Sequence, residues 1–572
     1  MTLIMDVSVV ALRVLLPIYA IIIVYQCFAS MRRRRRPERP LVLLQDTNTG
    51  VKIPVLFWEN SIGRASGSDI AVDDPAVSRN HCVLLRRKEG WFITDTGSKS
   101  GTYLNGRQIT RRAQVRIDDV ITIGNTNFAF RRGEEYHEEL KSSWFFSKVV
   151  NKPSIQPYKI MILVSLFHVF MGVEAIFCDA PEEYGSYLNP AVLCGVYVAV
   201  EWAFFAVSTL ALKRSAFEIE SLCLFMTGIG VMLLARQITP GATLQPAYVQ
   251  LAGAVIGMAL FCFIVKFIEN PDIIGKWRHI IMIGAIGLLA VNIVFGKVQY
   301  GAANWIKLGP VTVQPSEFVK IAYIFVGAST LDRLMTKQNL IEFIGFSAIC
   351  VGALAFMGDF GTALIFFLTF LLIAFTRSGD FKTLILAVAG AIGAGALVLR
   401  FKSYVLDRFQ AWGNVWDPRY MNDLAYQQSR TLTYIASGGL FGVGVGNGCL
   451  KYLSASESDL VFGLMSEELG FIISVTLSLT IVMLFIYARS VATRSRSAFY
   501  TISSCCAAGM LVVQMSLNIF GSTDILPLTG VTFPFISAGG SSIISCWGLL
   551  AFIKAADERT YSLRAGKQER SE

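Results

Sequence analysis

Roughly thirteen apolar stretches punctuate this chain, most of them about 18 residues or longer, the length a helix needs to cross bilayer hydrocarbon. The first two run about Val7–Phe28 and Ile160–Phe177. The others fall near 191–212, 219–236, 246–268, 277–296, 317–331, 341–357, 361–376, 383–400, 462–488, 498–520 and 529–554. With 53% apolar and only 16% charged residues, a water-soluble globule is excluded and a polytopic α-helical membrane protein is expected. One interruption is long: residues 37–133 abandon the apolar pattern altogether.

The formal charge of +10 sits in short loops, namely Arg32–Arg36, Lys213–Arg214, Lys276–Arg278, Arg333–Lys337, Arg377–Lys382 and Arg489–Arg496. That is the distribution of a topology signal, so no nucleic-acid partner is expected. The positive-inside rule places these loops in the cytoplasm. The amino terminus, and loops 297–316, 357–361, 401–461 and 519–535, then fall outside, whereas residues 29–159 and the tail from Lys554 fall inside. The basic cluster follows the first apolar stretch, which reads as a retained anchor and not a cleaved signal. Eleven cysteines are scattered through apolar segments as buried thiols. Only Cys178 and Cys194 are placed to pair. Metal-ligand spacing is absent, and four histidines are too few to build a site.

Residues 37–133 alternate short β-rich runs with Gly, Asp, Asn and Ser turns, which predicts an all-β sandwich. Three loop clusters stand out: Gly63-Arg64, Ser78-Arg79-Asn80-His81, and Gly97-Ser98-Lys99-Ser100-Gly101-Thr102 followed by Asn105-Gly106. Arginine forks and hydroxyls converging from several loops suit a dianionic phosphate. In this order the clusters resemble the forkhead-associated (FHA) domain. The resemblance implies that Arg64, Ser78, Arg79, Ser100, Thr102 and Asn105 bind a phosphothreonine peptide and that His81 braces the loop. Ser100 departs from the family's usual Asn.

The polar run from Phe401 to Val461 ends in Ser456-Glu-Ser-Asp-Leu-Val-Phe462, after the glycine-rich Ser437–Gly446. A carboxylate where a polar loop re-enters the membrane is costly to desolvate and marks a functional site. Asp459 is that group. Other outer-loop signatures precede and follow it: Gly301–Trp305, Gln314–Lys320, Gly358–Ala363, Trp416-Asp-Pro418 with Tyr426-Gln427, and Pro527–Gly530 with Pro534–Ser542. Their joint order closely resembles the SEDS family of shape, elongation, division and sporulation proteins, whose members include FtsW, RodA and SpoVE.

That resemblance implies about ten core helices and a peptidoglycan glycosyltransferase. It would polymerise lipid II into nascent peptidoglycan at the outer face of a bacterial cytoplasmic membrane, alongside a class B penicillin-binding protein that crosslinks the product. Glycosyl transfer from a lipid diphosphate needs a base for the acceptor hydroxyl and cations for the leaving group. Asp459 is the candidate base and Arg408 the first candidate diphosphate contact, with Lys320 second. Glu317 and Asp359 are candidates to orient the acceptor, and Trp305 and Gln427 complete the expected substrate contacts. A buried pair with Lys320 is the alternative for Glu317. No cofactor is expected, and a divalent cation at the diphosphate is left open. Ser454-Ala455, Leu460 and Asn304 depart from the family pattern. A flippase of the same fold and a non-enzymatic scaffold remain alternatives. A flippase predicts ionisable groups through the midplane, and the sequence instead places them at outer helix mouths.

The expected organisation is therefore multi-domain: an anchor and basic stop (1–36), a cytoplasmic FHA sandwich (37–133) and a juxtamembrane linker (134–157). An extra helix pair (158–214), the SEDS membrane domain (215–556) and a cytoplasmic tail (557–572) follow.

Overall fold

The computed structural model describes residues 2–33, 41–55, 58–65, 68–87, 89–110, 112–133, 156–176, 190–211, 216–236, 246–269, 271–299, 302–309, 311–332, 337–378, 408–492 and 497–557, with a few positions between 385 and 393. Most of the helix expected at 383–400, the linker through residue 155, Cys178 and the tail beyond 557 lie outside these residues.

The membrane part begins with α1 (Thr2–Arg33), α2 (Pro157–Ile176), α3 (Pro190–Ala206), α4 (Glu218–Leu233), α5 (Pro246–Phe267), α6 (Pro271–Phe295) and α7 (Pro315–Asp332). It continues through α8 (Lys337–Met357), α9 (Phe360–Ser378), α10 (Tyr426–Gly438), α11 (Val461–Glu468), α12 (Phe471–Ala492), α13 (Ala498–Ser522) and α14 (Gly540–Ala556). Five of these helices open on proline, whose fixed φ and missing N–H cost nothing at a first helical position. Among the described residues seven helices are long and apolar enough to cross a membrane, and three shorter apolar ones lie at 341–357, 360–376 and 540–556. At the centre α14 packs on α5, where Gly253 and Gly257 let the backbones close: a β-carbon at either would press on Gly540, Ile543 or Trp547 at 2.8–3.0 Å.

Two expectations are corrected. The stretch 462–488 is two helices, because Gly470 at φ +91° breaks the chain between α11 and α12. The segment 529–554 becomes helical only at Gly540, preceded by an irregular re-entrant loop with Phe535 at φ +66°. The loop after α6 folds into a small antiparallel sheet, β12 (Lys297–Gln299), β13 (Ala302–Leu308) and β14 (Val311–Val313). Ionisable groups also lie away from the helix mouth that holds Asp459, part-way along α2 and α3 and at the far end of α14. Lys554 Nζ lies 2.9 Å from Glu220 Oε1, and His168 Nδ1 lies 2.9 Å from Glu201 Oε1, all four side chains fully buried.

The insert is a sandwich of two sheets. One orders its strands β2 (Lys52–Val55), β1 (Val42–Asp46), β11 (Thr126–Arg132), β10 (Val120–Ile123), β7 (Thr102–Leu104) and β8 (Arg107–Gln108). The other orders β4 (Ile70–Ala71), β3 (Glu59–Gly63), β5 (Cys82–Arg87), β6 (Gly90–Asp95) and β9 (Ala113–Val115). Alternating residues such as Leu44, Leu84, Ile93, Ile121 and Phe130 fill the space between them. The sandwich rests on the start of α13. Trp58 meets Tyr500 edge-on at 6.0 Å, and Ser497 Oγ donates to Glu59 Oε2 at 3.4 Å. Glu59 is held in turn by Arg87 at 3.2 Å. Asp459 precedes the other end of α12, and this 22-residue helix is about 33 Å long. The sandwich and Asp459 thus occupy opposite ends of the bundle.

Candidate catalytic and phosphate-binding sites

Asp459 sits in a tight turn just before α11. Ala455 adopts φ +60°, and its carbonyl accepts from the N–H groups of Ser458 (3.2 Å), Asp459 (2.9 Å) and Leu460 (3.3 Å). Three other segments pin the turn. Asn518 of α13 donates through Nδ2 to the carbonyls of Asp459 (3.0 Å) and Val531 (2.7 Å). Ser537 Oγ donates to Ser458 O at 2.6 Å, and the Ala538 N–H to Glu457 O at 2.8 Å. Gln427 of α10 donates to Ser454 O at 3.1 Å. Gln427 was expected among the substrate contacts; its amide instead fixes the turn's backbone.

The carboxylate of Asp459 stands against the re-entrant loop. Gly530 adopts φ +66°, and a β-carbon there would lie 3.3 Å from Asp459 Oδ2. Burial pushes the Asp459 carboxyl up to about 6, against a hydrogen bond from Ser458 and the positive charge of Arg408, while Glu457 and Asp359 add to the rise. A carboxylate in that range is a competent base near neutrality, which one at the usual value is not. Arg408 is half-buried beside it and donates through Nη1 to Leu528 O at 2.9 Å. Asp359 caps α9, accepting from the Thr362 N–H at 3.0 Å and from Gln314 Nε2 at 3.3 Å. Burial raises its carboxyl as well.

Two expected substrate contacts turn inward. Lys320 is 1% exposed; its ammonium lies 2.7 Å from Glu317 Oε1 and donates to Gln514 Oε1 at 3.1 Å. Glu317 accepts on its other oxygen from Ser545 Oγ at 2.5 Å. A lysine one turn from its carboxylate, both dry, is closed on itself, and in this conformation it does not face a diphosphate. The network continues through Gln514 to Thr532 (2.9 Å) and from Thr532 to Ser542 (2.8 Å), tying α7, α13 and α14 to the loop beneath Asp459. Trp305 stays on β13, opposite Lys297 in the sheet register, and among the described residues it makes no hydrogen bond to the Asp459 turn. The structure therefore brings Asp459, Arg408 and Asp359 together and assigns Gln427, Glu317 and Lys320 to their support.

On the sandwich, the three loop clusters gather at the end remote from Trp58. Arg64 and Arg79 are exposed. Ser78 Oγ accepts from the Lys99 N–H at 3.0 Å, and Ser100 Oγ donates to Ala76 O at 2.9 Å. His81 is fully buried and spans the Ser78 N–H (3.1 Å) and Gly101 O (3.1 Å), so it braces two loops at once. Thr102 departs from expectation: it is fully buried and donates to Asp95 Oδ2 at 2.6 Å, which makes it a support. Asn105, at φ +51°, engages Asp119 Oδ1 and the Val120 N–H, each at 2.8 Å, and so shapes its turn through its own side chain.

Sequence reasoning passed over Asn518, because a lone polar residue inside an apolar segment looks like packing; Gly530 and Ser537 fell within quoted signatures but were given no role. It also left Lys99 unassigned, although its side chain is exposed and its backbone N–H donates to Ser78 Oγ in the loop cluster.

A family model described as cell cycle protein (FtsW/RodA/SpoVE) matches residues 218–562, and one described as FHA domain matches residues 60–124. The peptidoglycan glycosyltransferase RodA of Mycobacterium leprae (strain TN) is 26% identical over 384 residues, covering 62% of this chain and 82% of that protein. The probable peptidoglycan glycosyltransferase FtsW of Buchnera aphidicola subsp. Acyrthosiphon pisum (strain APS) is 31% identical over 292 residues, covering 49% of this chain and 72% of that one. A chain from a solved peptidoglycan synthase complex, which coordinates polymerization and crosslinking, shares the fold. Its TM-score is 0.50 at 23% identity, over 60% of this chain and 98% of that one.

Proposed function

The chain belongs to the FtsW/RodA/SpoVE family of cell cycle proteins and carries an FHA domain, and from that premise we propose that it is a peptidoglycan glycosyltransferase governed by a phosphothreonine reader. The donor is lipid II, the acceptor the sugar hydroxyl of a second unit or a growing strand. In one inverting displacement the acceptor oxygen bonds to the donor's anomeric carbon as the bond from that carbon to the diphosphate oxygen breaks. The acceptor proton passes to Asp459, and the diphosphate departs with its charge. Arg408 supplies positive charge at the same mouth, where a preorganised donor at a leaving group is worth a few kcal/mol. Asp359 and Gln314 border the acceptor side.

The observation that carries this reading is the raised, half-buried Asp459 carboxyl, nailed in place from three segments and faced by Arg408. Purified full-length protein given labelled lipid II should yield glycan strands, and Asp459→Ala should yield none at equal expression. An equally active variant would overturn the assignment.

The sandwich reads phosphothreonine through Arg64, Ser78, Arg79 and Ser100. Its seat at the start of α13, which in the sequence follows the basic run from Arg489 to Arg496, supports a cytoplasmic position under the positive-inside rule. Asp459, at the far end of α12, then faces outward, where lipid II is consumed. The partners are a phosphothreonine protein on the inner side and a class B penicillin-binding protein on the outer side.

The fully buried pair His168–Glu201, part-way along α2 and α3, favours one second reading, transbilayer movement of lipid II. Proteoliposomes that translocate labelled lipid II without forming polymer would favour it over polymerisation.

A further inference from the structure

Two helices outside the matched family region, α1 and α2, are the ones that flank the sandwich in the chain. Both reach the glycine-rich loop between α10 and α11. Arg13 of α1 donates through Nε to Glu174 Oε1 of α2 at 3.3 Å, with Glu174 only 3% exposed. The Val445 N–H donates to the Glu174 carboxylate. At Gly444, φ is +101°, and a β-carbon would stand 2.5 Å from Arg13 Nη2, so the loop backbone lies directly on the guanidinium.

The other side of this loop is bonded to α11. The Val443 and Gly444 N–H groups donate to the carbonyls of Glu467 and Glu468, each at 2.9 Å. The Gly446 N–H donates to Glu468 Oε2 at 2.9 Å. The Cys449 and Leu450 N–H groups donate to the Glu467 carboxylate at 2.7 and 2.8 Å. The Asp459 turn hangs between Leu450 and α11, so both of its ends are anchored to the element that Arg13 and Glu174 hold. A charged pair this deep is costly to leave half-made, which makes its geometry well defined.

We propose that Arg13 and Glu174 are positioning residues for glycosyl transfer, clamping the glycine-rich loop so that Asp459 keeps its place, and that the helices flanking the reader thereby complete the catalytic face. This rests on the reading of Asp459 as the base. The clamp also supplies a mechanical link, since α1 leads from the clamp to the sandwich and α2 leads back.

The test uses full-length protein in proteoliposomes with labelled lipid II, with hydrogen exchange of residues 443–459 as a second readout. Arg13→Ala and Glu174→Ala should each lower kcat by about tenfold to hundredfold, the cost of a misplaced catalytic group, with KM nearly unchanged. Amide exchange at Val445 and Gly446 should quicken. Glu174→Gln, which keeps a carbonyl oxygen for the Val445 N–H and for Arg13, should restore much of the rate and of the protection. Unchanged kcat and unchanged exchange would overturn the proposal. So would a loss that Glu174→Gln does not relieve and that tracks a general fall in Tm. Should the parent chain form no polymer, the base assignment falls by itself. The exchange readout then still decides whether Arg13 and Glu174 hold the loop, and unchanged protection in the variants would reject that too.

Discussion

The two ends of this molecule handle charge in opposite ways. At the sandwich, Arg64 and Arg79 stand in water on loops, and the buried residues behind them, His81 and Thr102, spend their hydrogen bonds on holding those loops. At the far end, Asp459, the proposed base, is half-buried, and burial has moved its proton affinity. A reader needs a rigid fork whose charge never changes; a base needs a carboxylate whose charge changes easily. The same principle, a polar group fixed by second-layer bonds, serves both. The difference lies in which layer is kept dry.

The contrast is broken most directly at its dry end. Asp459→Ala should lower polymerisation by about 10²–10⁴-fold, while isothermal titration of a phosphothreonine peptide onto the same protein gives the parent Kd. Next in size, Arg64→Ala removes a charge-assisted fork worth about 1.5–3 kcal/mol, and peptide affinity should fall roughly tenfold to hundredfold. Polymerisation measured without peptide should keep its parent rate; loss of both would mean that the two ends are not separable.

A pH series sharpens the comparison. Asp459 must be ionised to accept a proton, so kcat/KM should climb with pH through a midpoint at about 6 and fall about tenfold per unit below it. Peptide binding weakens over a similar range for another reason, since the phosphate gains a proton near pKa ~6. Rates taken without peptide isolate the carboxylate. The smallest effect is expected at Thr102→Val, which orphans Asp95 from one buried bond. Differential scanning calorimetry should show the sandwich losing about 1–3 kcal/mol, with peptide affinity well below Tm unchanged.

Much of this was legible in the sequence, for physical reasons. Lipid and water impose opposite compositions, so the bundle and the sandwich announced themselves by apolar runs and by turn residues. Asp459 was legible because a carboxylate at the edge of a membrane helix is costly enough to need a reason. The break at Gly470 was not, since a single glycine inside an apolar run reads equally well as packing. Asn518 was hidden likewise: whether an amide in an apolar helix faces a neighbour's carbonyl depends on tertiary placement. Lys320 and Glu317, three residues apart, allowed a pair or an open cation, and only the position of Gln514 and Ser545 separates the two. Thr102 followed the loop motif in sequence but the strand alternation in space, and the strand won.

The aromatic contact between Trp58 and Tyr500 has a practical consequence. Cutting away the reader would strip the cover from the start of α13 and bare the Tyr500 ring, so a truncated chain is a poor control for an unregulated one. Silencing the domain in place, by a point change on its far loops, is the cleaner amputation.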